Sequence, residues 1–103
     1  MKSYHLRFRS LARGDVLRAR KWYEREASHM VPPFLDELRS LVTSIRENPL
    51  MYPKVFDEVR RALMTRFSYA VYFTIEQELI VVLAVTHQAR DEETWKRRVT
   101  RRK

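Results

Sequence analysis

The chain has 103 residues, no cysteine, 21 Lys plus Arg against 13 Asp plus Glu, and a formal net charge of +8. That length suits one domain with one modest core, and 45% hydrophobic content argues for a globular chain. The lack of cysteine excludes disulfides, zinc–thiolate sites and cysteine nucleophiles, and no apolar run reaches the ~20 residues of a membrane span. Met1 to Arg9 has no apolar stretch of the secretory kind, so the expected setting is cytoplasmic.

Tyr4, Leu6 and Phe8 alternate with His5, Arg7 and Arg9, the period-two pattern of a strand. Ser10 is then expected to cap a helix running from Leu11 to about Ser28. Within it Ala12, Val16, Ala19, Tyr23 and Ala27 recur at spacings of three and four. Val31-Pro32-Pro33 breaks this helix and opens a second, because proline is tolerated in a first turn. Phe34, Leu38, Leu41, Val42 and Ile45 mark its apolar face, and Asn48-Pro49 stops it. The short connection predicts an antiparallel helical hairpin. Pro49 to Asp57 reads as a loop, and Glu58 to Thr65 is weakly patterned. Tyr69 to Ile75 and the run Leu79 to Val85 read as strands joined by a turn at Glu76-Gln77-Glu78. A short helix is expected over Glu92 to Arg98. The predicted fold is α+β: β-α-α-β-β-β with a short C-terminal helix, the helical hairpin packed on a mostly antiparallel sheet.

Six of the last eight residues are basic, so a basic tail is expected over about 96–103 of a single domain spanning 1–103. Such a terminus is a solvated tail in the simplest view; it also suits a phosphate backbone or an acidic protein groove.

Several segments occur together in a familiar order. Phe8 to Asp15 carries an Ala-x-x-Asp at the strand-to-helix entry, and Trp22-Tyr23-Glu24 is an aromatic pair late in the first helix. Phe34 to Leu38, with Ile45 and Asn48-Pro49, forms and stops the second helix. Arg61 to Phe73 spans the central strands, and Val82 to Val85 precedes His87, Arg90, Asp91, Trp95 and Arg98. Over nearly the whole chain this order resembles the RelE/ParE superfamily of toxins from type II toxin–antitoxin, or plasmid stabilisation, systems. The resemblance implies the fold already read from the pattern. It also implies neutralisation by a cognate antitoxin in a hetero-oligomer. RelE-like members cut mRNA in the ribosomal A site, whereas ParE-like members poison DNA gyrase and cause growth arrest.

RNA cleavage by the adjacent 2′-hydroxyl needs a base, an acid and cations around the phosphorane. His87 could exchange a proton near neutral pH, and Arg61, Arg66 and Arg90 could hold phosphate oxygens. Tyr69 or Tyr72 could stack on a base. The lysine pair, third-strand arginine and terminal tyrosine of RelE-type members are not matched, which places the chain nearer the ParE branch. There no hydrolytic set is implied, and Arg90, Lys96, Arg97 and Arg98 are the candidate target-binding residues on an exposed C-terminal region. A non-toxic basic binding module is the remaining alternative. The plainer roles are packing for Trp22, Tyr23 and Trp95, a capping or hydrogen-bonding role for His87, and pairing of Arg61 with Glu58 or Asp57. His5 and His29 are expected on the surface, and the three histidines have no metal-ligand spacing. No metal or organic cofactor is called for.

Overall fold

The computed structural model describes residues 4–88 and 92–100. Strand β1 spans His5–Phe8, helix α1 Ser10–Glu26 and helix α2 Val31–Glu47. Strands β2 (Lys54–Phe56), β3 (Val59–Leu63), β4 (Tyr69–Glu76) and β5 (Leu79–His87) follow, then helix α3 (Glu92–Thr100). The five strands lie in the order β1-β5-β4-β3-β2, with β1 parallel to β5 and the other pairs antiparallel.

The helical periods are met. Phe34, Leu38 and Ile45 of α2 are buried, as are Ala12 and Ala19 of α1. Small side chains on α1 let its backbone approach the sheet, where these helices meet Val71, Phe73, Ile80, Val82 and Val85. Each large apolar side chain so buried contributes about 1.5–3 kcal/mol. Ser10 does not cap α1: Arg9 occupies the cap position without a side-chain bond, and Ser10 is already helical. The two prolines fall in the first turn of α2, where the missing N–H donors have no helical partner to lose.

One element differs from expectation and one extends past it. Residues 54–56, read as loop, form β2, an edge strand too short for any period to show. Helix α3 covers the expected Glu92 to Arg98 and runs on to Thr100, so the basic stretch begins inside the helix. α3 lies on the sheet face opposite the hairpin. Its Trp95 is 2% exposed, stacks on Tyr72 with ring centroids 4.6 Å apart, and meets Phe56 edge-on at 5.8 Å. The molecule therefore has three layers: hairpin, sheet and a single short helix.

β5 runs past the end of β1. Their pairing stops at Phe8 and Val82, after which the Arg9 N–H closes on the Val82 carbonyl at 3.0 Å. Opposite Tyr72 and Phe73, β5 carries one extra residue, Leu83, a bulge that shifts the register. From Leu83 onward the edge of β5 that β1 leaves open is met by side chains in place of a strand.

Candidate functional site

At that end of the sheet a cleft of about 630 Å³ opens between α1, the β3–β4 turn and the strand ends. α1 contributes Asp15, Arg18 and Trp22 to it; the β3–β4 turn contributes Arg66, and the strand ends contribute Tyr69 and His87. The floor is aromatic. Tyr23 lies 5.3 Å from Phe34 and 5.5 Å from Phe67, and Tyr69 lies 5.5 Å from Phe34. Burial raises the Tyr23 phenol above its ordinary value, so it stays protonated. Trp22 was expected to pack; instead it stands 47% exposed with its ring edge-on to Tyr23 at 5.0 Å, an apolar wall open to solvent.

The lip is held from below by Glu37 of α2. Its carboxylate accepts the Thr65 N–H at 2.5 Å, the Thr65 hydroxyl at 2.9 Å and the Arg66 N–H at 3.1 Å. Burial alone would raise this carboxyl, but the bonds from Thr65 and Arg66 and the nearby Arg66 charge outweigh it, leaving it below its ordinary value. Gln88 closes the other side of the turn by donating to the carbonyls of Met64 and Tyr69.

Asp15 forms the inner wall. It is buried, and its two oxygens take bonds from three residues. Arg98 of α3 grips it with two nitrogens, at 2.6 and 3.0 Å; the Val85 N–H donates at 2.9 Å, and Arg18 at 2.5 Å. Arg98 also donates to the Leu83 carbonyl at 3.0 Å. Its side chain is 14% exposed, so the exposed position expected for it is not observed.

Of the sequence-derived candidates, Arg66, Tyr69 and His87 line this one cleft, whereas Arg61 and Tyr72 lie on the opposite face of the sheet. His87 lies at the end of β5 with its ring 5.7 Å from Tyr69, on the hairpin side of the sheet with Arg66. Arg61 is on β3 opposite Tyr72, and cross-strand partners share a face, so Arg61 points to the α3 side. The expected pairing of Arg61 with Glu58 or Asp57 does not occur; Glu58 pairs with Lys54. The Arg61 Nε is buried with no hydrogen-bond partner. Tyr72 is 3% exposed beneath Trp95 and offers no free ring face, while Tyr69 keeps one edge toward the cleft. Lys96 reaches over Phe56 with its ammonium 5.3 Å from the ring, and Arg97 faces solvent. Arg90 lies outside the described residues. Among the described residues no group of three or more His, Asp or Glu could hold a metal ion, and no helix is long and apolar enough to cross a membrane. Sequence reasoning gave Asp15 and Glu37 no role; for Asp15 the signal was an acid inside the alanine stripe of α1.

The chain thus carries a helical hairpin on one face of a five-strand mixed sheet and a short helix on the other, with a net charge of +8. Residues 6–92 match the family of ParE toxins of type II toxin–antitoxin systems, and the chain belongs to that family. It shares its fold with the chromosomal ParDE system of P. aeruginosa (TM-score 0.74, 13% identity, covering 82% of this chain and 96% of that one). The free-state E. coli RelE mutant superposes with TM-score 0.61 at 16% identity, over 98% of this chain and 99% of its own. The RelBE2 complex of Mycobacterium tuberculosis gives 0.54 at 22% identity, over 82% and 98%. No curated protein sequence matches the chain.

Proposed function

We propose that this ParE-family toxin acts on DNA gyrase in the cytoplasm and is silenced by forming a hetero-oligomer with a cognate antitoxin. The observation that carries this reading is the separation of the groups a ribonuclease would need. Arg61 serves one face of the sheet, while His87 and Arg66 serve the other, so among the described residues the full set of His87, Arg61 and Arg66 does not converge. The target-facing element in this reading is α3, which presents Lys96 and Arg97. The antitoxin is an acidic segment that folds over the hairpin and the cleft, where Arg18 and Arg66 offer charge and Trp22 offers apolar surface. The net charge of +8 makes both associations weaken steeply with salt.

The test is supercoiling of relaxed plasmid by gyrase, with the purified chain, with and without antitoxin, at two salt concentrations. Inhibition relieved by antitoxin is expected. A folded chain that arrests growth yet leaves supercoiling intact refutes the gyrase target. A chain that does neither is a non-toxic basic module.

One observation favours a second reading, a ribosome-dependent mRNA endoribonuclease. His87, Arg66 and Tyr69 line one cleft, so a proton-exchanging imidazole, a guanidinium for a phosphate and a ring for stacking stand together. In that case Arg66→Ala and His87→Ala should each abolish mRNA cleavage on translating ribosomes while leaving the fold intact.

A further inference from the structure

The ion pairs Arg20–Glu24, Arg39–Asp36 and Lys54–Glu58 join exposed residues three or four apart and contribute little. Asp15–Arg98 differs in every respect. Its partners are 83 residues apart, 5% and 14% exposed, and stand on helices packed against opposite faces of the sheet. They meet around the open edge of β5. There each takes one backbone group that a further strand would otherwise take: the Val85 N–H goes to Asp15 and the Leu83 carbonyl to Arg98.

A buried ion pair is a poor source of net stability, since apolar residues of similar volume do as well. What a two-pronged guanidinium–carboxylate contact supplies is geometry. α3 has nine residues, too few to persist as a helix without tertiary contacts. Its large buried anchor is Trp95, with Val99 one turn further on packed against the same cluster. Those apolar contacts permit sliding and rotation. The paired bonds from Arg98 do not: a rotation of one residue would strip both prongs and the contact with the Leu83 carbonyl.

We infer that Asp15 is a positioning residue for α3, fixing the rotation and depth of that helix and thereby the placement of Lys96 and Arg97. The inference rests on the reading of α3 as the target-facing element. Asp15 also lines the cleft on the other side of the molecule. A ligand in the cleft that drew Arg18 or Asp15 away would therefore act on α3 through the same carboxylate.

The experiment uses the full chain as wild type, Asp15→Asn and Arg98→Lys. Asp15→Asn keeps an acceptor for the Val85 N–H but removes the charge, and Arg98→Lys keeps the charge but removes the fork. Amide hydrogen exchange is followed residue by residue, with gyrase inhibition measured in parallel. In Asp15→Asn the amides of residues 96–100 are expected to exchange at least tenfold faster. Those of β4 and α2 should keep wild-type protection, and inhibition should fall at least tenfold. Arg98→Lys should fall between the two. Unchanged exchange in α3, or acceleration of equal size in α2 and β4, overturns the inference. Loosened α3 with undiminished inhibition leaves Asp15 as the residue that seats the helix and removes α3 from the target surface. The exchange comparison requires no target and decides the seating of α3 even if the chain proves inert toward gyrase.

Discussion

Replacing Glu37 tests how the cleft lip is held. The carboxylate reaches 28 and 29 residues along the chain to bond the Thr65 N–H, the Thr65 hydroxyl and the Arg66 N–H. A hydrogen bond to a charged group contributes about 1.5–3 kcal/mol net. The three donors share one carboxylate, and water reaches the turn once it is gone, so their losses do not add. We expect Glu37→Ala to cost about 2 kcal/mol and Glu37→Gln about 1 kcal/mol, since the amide keeps one acceptor oxygen. For a domain of this size about 2 kcal/mol lowers Tm by roughly 10 °C. The pH dependence has a definite sign. Glu37 ionises more readily in the folded chain than in the unfolded one, so its contribution is complete above the ordinary carboxylate value of 4.5. It is lost as pH falls through the lowered folded value. Urea denaturation of wild type and Glu37→Gln at pH 7 and at successively lower pH should show a gap that narrows toward zero. A variant indistinguishable from wild type at pH 7 would refute the tie, and so would a gap that stays constant as the acid protonates.

Trp95→Ala removes the indole stacked on Tyr72. We expect a loss of about 3–5 kcal/mol if α3 and the sheet unfold together, read from the urea midpoint and from protease sensitivity near residue 95. Gly14 is the one glycine in the chain and sits inside α1. A Cβ there would meet the Arg18 side chain at 3.4 Å, an ordinary contact, so Gly14→Ala should raise stability by about 0.5–1 kcal/mol in thermal melts. Gln77 turns the β4–β5 hairpin with φ of 62°, in the left-handed region that glycine enters without strain. Gln77→Gly is therefore expected to stabilise by up to about 1 kcal/mol, and a loss of that size would show that the turn is held by the glutamine side chain.

The parts of this fold that were legible in the sequence are those written as local periods. Phe34, Leu38 and Ile45 announce α2, and Leu79 to Val85 announces a strand buried on both faces. β2 escaped because three residues after a proline carry no period. Trp22 was misplaced because its neighbour Tyr23 is the inward residue; one step along a helix turns a side chain by about 100°, enough to carry it from floor to rim. The last helix was legible over Glu92 to Arg98, and Trp95 and Val99, four apart, are the mark of its seat on the sheet. The cleft's inner wall was beyond reach for another reason. The Asp15–Arg98 contact joins positions with no local relation, and only the topology brings them together.

The parallel pairing of β1 with β5 also sets an order of events. β1 finds its partner only when Leu79 to Val82 exist, some seventy residues later in the chain. Until then the nascent polypeptide can form its two helices and the strands β2 to β4 but lacks the strand that joins β1 to them. Contacts between distant segments form slowly because the intervening loop must close first. The cleft and the seat of α3 therefore arise together, late in synthesis, and a chain that ends before β5 has neither.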